Sequence, residues 1–197
     1  MRRLPAVTKD TMTPEQLDLF GKITSGPRSK GRNAMDFLDQ DGGLIGPFNA
    51  YLYSPKIGDA AQTLAGLLRF ESILPGDLRE IAICAVGQHW QADYEFYAHA
   101  KVARNEGVDD ATIEALRQGK PPADPKHAAI AGFVREMLAE RKVSDATYGA
   151  AHAILGDQGM VELVLLAGCY CMVSANLNVF RPPFPDGVDR PFGTAGV

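Results

Sequence analysis

Apolar residues recur at helical spacing through most of the chain, from Ser54 to about Val179. Ser54-Pro55 opens the first of these segments, because proline suits the first position of a helix. The residues of this segment predicted to face the core are Ile57, Ala60, Ala61, Leu64, Leu67 and Leu68. No segment shows the alternation typical of a strand, so the pattern predicts an all-α protein.

Capping residues and glycines mark the predicted helix boundaries. Thr13-Pro14-Glu15-Gln16 has the form of a capping box, and Asp124-Pro125 opens a later helix. Gly107 ends the helix that begins near Tyr94, and Gly156 to Gly159 separate the last two helices. From Arg181 onward, prolines and glycines replace the helical pattern.

The length of 197 residues fits one domain, and we predict a single domain over residues 1–197. Its core spans about residues 43–180, with an N-terminal arm (1–42) and a Pro- and Gly-rich C-terminal tail (181–197). Ser54-Pro55-Lys56 and Asp124-Pro125-Lys126 open similar segments, and Glu80 and Glu162 each precede an apolar helix. These parallels indicate a weak internal duplication.

The net charge of −4 and pI near 5.6 argue against a nucleic-acid partner, because phosphate recognition needs a basic surface. The apolar run Leu163–Val173 is too short to span a bilayer, and the N-terminus lacks the apolar region of a secretory signal. We therefore expect a cytoplasmic protein with no membrane partner. Three cysteines do not suggest a disulfide framework, and buried thiols are the simpler interpretation.

Glu95 and His99 are the residues most suggestive of chemistry. They lie four positions apart, which puts a carboxylate and an imidazole on one face of a helix. Glu80 lies nineteen positions before His99, at the start of an apolar helical run. If the two helices meet, these groups form a set suited to proton transfer, and burial would raise the pKa of Glu80.

Structural interpretations compete with this one. His99 can be a buried histidine satisfied by Glu95, and Glu80 can be an ordinary first-turn glutamate. Together with His89, the three residues are also metal ligands by type, but the chain lacks the second Glu-x-x-His element of helical di-iron proteins. We therefore predict no metal site.

The segments Leu78–Ile83, Glu95–His99 and Ala103–Val108 resemble the carboxymuconolactone decarboxylase family, which is related to the alkyl hydroperoxidase D proteins. The strongest resemblance covers residues 78–113, and a weaker one runs from about Gly43 to Val179. It implies an alkyl hydroperoxidase D-like helical bundle that assembles into homo-oligomers, as trimers or hexamers, with an active site between helices.

In the hydroperoxidase branch a glutamate, a Cys-x-x-Cys pair and a histidine follow one another. Glu80 and His99 match the glutamate and the histidine, but the cysteine positions fall on Ala92 and Glu95. Thiol peroxidase chemistry needs a thiolate and a resolving thiol, so these residues do not support it. The decarboxylase branch has Glu-x-x-x-His at this place, as in this chain.

The resemblance implies a cofactor-free lyase (decarboxylase) or isomerase that acts on a small cyclic or aromatic-derived carboxylic acid, as in aromatic compound catabolism. His99 would be the general acid/base, Glu95 its orienting partner and Glu80 a second proton carrier. Candidates for contact with the substrate are Arg79, Trp90 and Tyr94, with Arg104 as a second arginine able to hold its carboxylate. The alternatives are a hydroperoxide reductase and a non-catalytic oligomeric binding protein.

Overall fold

The structure, a computed structural model, describes residues 2–30 and 34–193. Within this part of the chain there are eight α-helices and no β-strand, so the predicted all-α fold is confirmed. The helices are α1 (Pro14–Ser25), α2 (Phe48–Tyr51), α3 (Pro55–Phe70), α4 (Gly76–His89), α5 (Asp93–Asn105), α6 (Asp110–Arg117), α7 (Pro125–Glu140) and α8 (Asp145–Phe180).

Most predicted helix boundaries are confirmed. Thr13 and Gln16 form the capping box of α1, and the Asp124 carboxylate accepts two backbone N–H groups at the start of α7. Gly107 takes a left-handed conformation just after α5, and α8 is interrupted at Gly156, where φ is 64°. These are positions where glycine is favoured, because a side chain would be strained there.

The chain divides into two compact units. The first contains residues up to Glu71 together with Asn176–Val188. In this unit α3 packs against α1 and α2. Its buried apolar cluster consists of Val7, Leu19, Phe20, Ile23, Phe37, Leu44, Tyr51 and Leu52.

The predicted inner face of α3 is wrong in large part. Ile57, Leu64 and Leu67 are 69%, 41% and 47% exposed, and the buried residues of α3 are Gly58, Gln62, Ala65 and Leu68. Gln62 is buried because its side chain bonds with Arg28, Asp59 and Thr63. A polar residue whose hydrogen bonds are satisfied can thus lie on the buried face of α3, while larger apolar residues of the same helix are exposed.

The second unit contains residues Ser72–Ala175 and the chain from Asp189. Helix α4 packs against α5, α6 and α7 and is buried on nearly all sides. The backbone of α5 comes close to α4 at Gly87, where a Cβ atom would lie 3.3 Å from the backbone nitrogen of Phe96. This close approach brings the N-terminal half of α5 against α4.

Helix α8 is long and apolar enough, by length and composition alone, to cross a membrane. The prediction that the apolar run Leu163–Val173 is too short to span a bilayer is therefore wrong by length and composition. That run ends before Asn176, whereas the helix continues through Asn176 and Asn178 to Phe180. Less than half (44%) of the most apolar stretch of α8 is buried within the protein. Core helices of globular proteins meet the same criteria, so length and composition do not assign α8 to a bilayer.

Candidate functional site

Helices α4 and α5 bring Glu80, Glu95 and His99 together in the second unit. The three residues are 0%, 3% and 7% exposed, although all three carry polar groups. His99 Nδ1 lies 2.6 Å from Glu80 Oε2, and His99 Nε2 lies 3.2 Å from Glu95 Oε1. Both nitrogens of one buried imidazole therefore face carboxylates.

The two contacts of the ring differ in kind. His99 Nδ1 and Glu80 Oε2 form a hydrogen bond of 2.6 Å, whereas Glu95 Oε1 lies at ion-pair distance from Nε2, 3.2 Å away. A neutral imidazole that donates to Glu80 keeps a lone pair at Nε2, whereas an imidazolium ion can donate at both nitrogens.

The shorter of the two contacts identifies the tighter partner of His99. Glu80 is fully buried and lies on α4, whereas Glu95 is on the same helix as His99. Glu80 therefore fixes the ring more tightly than the i,i+4 contact with Glu95 does. Sequence spacing favoured the local partner, and the tertiary contact turns out to be the closer one.

Tyr170 completes the surroundings of the imidazole. This residue of α8 is 3% exposed, and its ring contacts the His99 ring edge to face with centroids 5.0 Å apart. Such a contact restricts rotation of the imidazole. No sequence pattern indicated Tyr170, because it is distant from His99 along the chain and shares no motif with it.

Arg79 lies at the outer side of this group. Its Nε donates to Glu80 Oε1 at 3.2 Å, and its Nη2 donates to Glu106 Oε1 at 3.3 Å. The arginine side chain is 13% exposed, and that of Glu106 is 39% exposed. Glu106 was not a sequence candidate; its position at the end of α5 brings it to the start of α4.

The other candidates have different surroundings. Trp90 follows α4, is 38% exposed, and hydrogen-bonds through its side chain to Cys171. Tyr94 is half-buried in the first turn of α5, and His89 is exposed at the end of α4. Arg104 donates to Asp110 on the surface. None of these contacts brings a side chain to His99.

All three cysteines are free thiols; Cys84 and Cys169 are buried, as predicted, whereas Cys171 is half-buried. Burial raises the pKa of Cys84 well above its usual value, and the nearby charges of Glu80 and Glu95 raise it further. Burial also raises the pKa of Cys171, against a lowering effect of its hydrogen bond with Trp90. Ala92 and Glu95 stand at the positions that the resemblance matches to the hydroperoxidase cysteines. Within the described residues, no group of three or more His, Cys, Asp or Glu side chains is arranged to hold a metal ion.

No protein-family model matches the chain, and no curated protein does. Solved structures do match it. An uncharacterized peroxidase-related protein from Ralstonia eutropha JMP134, described as an alkylhydroperoxidase AhpD core, has 14% identity and a TM-score of 0.72, over 97% of this chain and 94% of that one. An uncharacterized peroxidase-related protein from Silicibacter sp. TM1040 has 17% identity and a TM-score of 0.69, over 92% of this chain and 91% of that one.

A protein of unknown function from Agrobacterium tumefaciens is 16% identical, with a TM-score of 0.60, over 71% of this chain and 98% of that one. Identities this low establish the fold and leave the activity open. The helical architecture, the close crossing of α4 and α5, and these likenesses agree with one another. This chain has the alkylhydroperoxidase AhpD-like fold.

Proposed function

We propose that this protein is a cofactor-free acid–base enzyme, similar to carboxymuconolactone decarboxylase, that acts on a small cyclic or aromatic-derived carboxylic acid. The observation that carries the proposal is a buried imidazole with a carboxylate at each nitrogen, at 2.6 and 3.2 Å. Three buried titratable groups in one cluster are unusual outside functional sites, because their desolvation is unfavourable.

The proposed roles follow from the two distances. Glu80 fixes the tautomer and orientation of the ring through Nδ1, where the contact is short. His99 Nε2 is the general acid/base, and Glu95 exchanges a proton with it over the longer contact. In a decarboxylation the bond to the leaving carboxylate breaks, its electron pair stays on the substrate carbon, and CO2 departs. His99 then gives its Nε2 proton to that carbon, and Glu95 or water returns one to the imidazole.

The experiment combines candidate substrates with histidine variants. Carboxymuconolactone and related lactone acids are incubated with the protein in D2O, and CO2 release and deuterium incorporation at carbon are followed. We expect His99→Gln to lower both rates by about 100-fold or more, the usual effect of removing a general acid/base. His152→Gln, which changes an exposed histidine paired with Asp157, is the matched control. Equal rates in wild type and His99→Gln would reject the role of His99.

A hydroperoxide reductase is the second candidate, because two of the similar structures are described as peroxidase-related. The raised pKa values of Cys84 and Cys171 oppose it, since the thiolate is the nucleophile in such chemistry. The test is peroxide consumption with a dithiol reductant. Activity in the wild type that is lost when Cys84, Cys169 and Cys171 are all serine would favour the reductase over the lyase.

A non-catalytic oligomeric binding protein is the third alternative. It predicts that a lactone acid raises the melting temperature while neither CO2 release nor peroxide consumption occurs. For all three alternatives we propose a homo-oligomer, for which the exposed apolar residues of α3 give support. Ile57, Leu64 and Leu67 share a helical face, and each is more than 40% exposed in the single chain.

A further inference from the structure

Charged groups of alternating sign lead from the surface to the buried imidazole. The half-exposed Glu106 contacts Arg79, Arg79 contacts Glu80, and Glu80 contacts His99. Exposure of the side chains falls along this series, from 39% at Glu106 to 13% at Arg79 and 0% at Glu80. A buried carboxylate is strongly destabilised unless a cation or hydrogen-bond donors compensate it, and Arg79 is the cation in contact with Glu80.

We infer that Arg79 is a positioning residue: its guanidinium, held between Glu80 and Glu106, keeps Glu80 ionised and directed at His99 Nδ1, and does not bind the substrate carboxylate. The inference rests on the proposed function for its catalytic consequence. The geometric reason is that two N–H groups of Arg79 already point at carboxylates of the protein, 3.2 and 3.3 Å away. Of the five N–H groups of the guanidinium, a substrate carboxylate would meet only those left by these two contacts, on a side chain that is 13% exposed.

Counting the buried charges leads to the same role. With Glu80 and Glu95 ionised, Arg79 and an imidazolium form of His99 balance them, so the four groups are neutral together. Without Arg79, the same protonation state would leave a net negative charge in the interior. The cluster would then hold its protons more tightly, because each bound proton reduces the uncompensated negative charge of the carboxylates. Arg79 therefore compensates the negative charge of Glu80 in the interior.

Gly76, the first residue of α4, leaves room for the Glu106 carboxylate. A methyl group at this position would collide with the Glu106 carboxylate, which lies against the first residue of the helix. Because that carboxylate ends a flexible side chain, it can move away at little energetic cost. Gly76→Ala should thus displace the Glu106 carboxylate without changing any charge.

Other titratable or polar groups near the cluster, among the residues that the structure describes, lie on α4, α5, α7 and α8. Cys84 is a buried thiol on α4 whose pKa is raised, so it stays uncharged near neutral pH. Tyr170 contacts the imidazole from α8, and Arg104 is on the surface with Asp110. On α7, His127 pairs with Asp77 near the start of α4.

The test is a pH titration of the histidine rings by NMR, which requires no substrate. The chain has four histidines, and the His99 signals are identified by their loss in His99→Gln. We expect Arg79→Met to raise the His99 titration midpoint by about one pH unit or more, the usual effect of one neighbouring charge. Arg79→Lys should give a His99 midpoint much closer to that of the wild type. Glu106→Gln removes a negative charge and should move the midpoint down, by less, because Glu106 is half exposed.

Gly76→Ala moves the Glu106 carboxylate away and should give a small shift in the same direction as Glu106→Gln. Arg117→Met, which removes an exposed arginine paired with Glu114, is the matched control and should leave the midpoint unchanged. An unchanged midpoint in folded Arg79→Met would overturn the inference, as would shifts of the same sign in Arg79→Met and Glu106→Gln. If Arg79 instead binds substrate, Arg79→Met should weaken the thermal shift given by carboxymuconolactone and leave the midpoint unmoved.

Failure of the proposed function would look different. In that case His99→Gln would keep its rates of CO2 release and deuterium incorporation, while Arg79→Met would still shift the titration of His99. Conversely, a large loss of turnover in His99→Gln combined with an unmoved midpoint in Arg79→Met would leave the proposed function intact and reject the role of Arg79.

Discussion

Glu80 Oε2 and His99 Nδ1 are 2.6 Å apart, and the Glu80 side chain has no exposed surface. Glu80→Ala would leave the imidazole and Arg79 without their shared buried partner and would open a cavity. Removing one member of a buried ion pair destabilises a protein by about 3–5 kcal/mol, and we expect a loss of that order. Urea unfolding followed by circular dichroism measures it.

Asp157→Ala is the matched control for this loss. It also removes a carboxylate that contacts a histidine, but the Asp157 side chain is 96% exposed. Exposed pairs contribute little to stability, so this variant should unfold close to the wild-type urea concentration. Equal midpoints for Glu80→Ala and Asp157→Ala would contradict the structural importance of the buried contact.

The thiols should differ in reactivity at pH 8. Burial raises the pKa of Cys84, which is a fully buried residue of α4, whereas Cys171 is only half-buried. Iodoacetamide should therefore label Cys171 first and leave Cys84 unlabelled until the protein unfolds. Peptide mass spectrometry at a series of times gives the order. Labelling of native Cys84 at the rate of Cys171 would show that the enclosed thiol is accessible.

Glu162 should make the stability of the protein depend on pH. Its hydrogen bonds with Ser72 and Gln158, and the backbone N–H of Ile73, lower the pKa of Glu162 below its usual value of 4.5. The folded state therefore holds this proton less tightly than the unfolded chain. The stabilisation is present above about pH 4.5 and is lost as pH falls through the lowered folded-state pKa.

Glu162→Gln should consequently melt at a lower temperature than wild type at pH 7, and the difference should shrink below pH 4.5. Thermal unfolding from pH 3 to pH 7 tests this. Glu114→Gln is a useful comparison: hydrogen bonds from Arg117 and Gln118 lower the pKa of Glu114 to about 2, so its contribution should persist to lower pH. A constant difference between Glu162→Gln and wild type across this range would contradict the linkage.

The fold could be predicted from the sequence where local chemistry decides the outcome. The capping box at Thr13, the Asp124-Pro125 start and the break at Gly156 all depend on residues within a few positions. The inner face of α3 could not be predicted, since Gln62 is buried by partners such as Arg28, which lies far away in the chain. Its burial is visible only when those partners are in place.

In the site, too, local contacts could be predicted from the sequence and long-range contacts could not. The spacing of Glu95 and His99 gave their contact, because helical geometry fixes side chains four positions apart. The closeness of Glu80 to Nδ1 depends on the crossing of α4 and α5, which the resemblance suggested and periodicity alone could not. Tyr170 and Glu106 contribute through long-range packing, and no pattern in the sequence indicated either.

The C-terminal segment should be held by Asp93, the first residue of α5. Asp93 is 5% exposed and accepts a hydrogen bond at 2.8 Å from the backbone N–H of Phe192. Arg190 lies 3.4 Å from the same carboxylate, and the Phe192 ring contacts Phe96 edge to face. Asp93→Ala should therefore speed amide exchange at Phe192 by about tenfold or more, since a hydrogen bond to a charged group contributes about 1.5–3 kcal/mol.

Hydrogen–deuterium exchange of the C-terminal peptide measures this effect. Asp93→Asn keeps an oxygen acceptor and should retain part of the protection. Asp186→Ala, in the exposed part of the tail, is the control and should leave exchange at Phe192 unchanged. Wild-type exchange at Phe192 as fast as in Asp93→Ala would contradict a held segment.

The exposed apolar face of α3 leads to a prediction about assembly. Ile57 and Leu67 are 69% and 47% exposed, so a glutamate at either position should not disturb the core of the single chain. If copies of the chain associate through this face, Ile57→Glu and Leu67→Glu together should lower the molar mass in solution, because burial of charge at an interface is unfavourable. Met35→Glu changes a 72% exposed residue outside α3 and is the matched control.

Size-exclusion chromatography with light scattering distinguishes the outcomes. We expect an oligomer for the wild type and for Met35→Glu, and a smaller species for the double variant. An unchanged oligomer in the folded double variant would exclude this face from the interface, and a monomeric wild type would reject the proposed assembly.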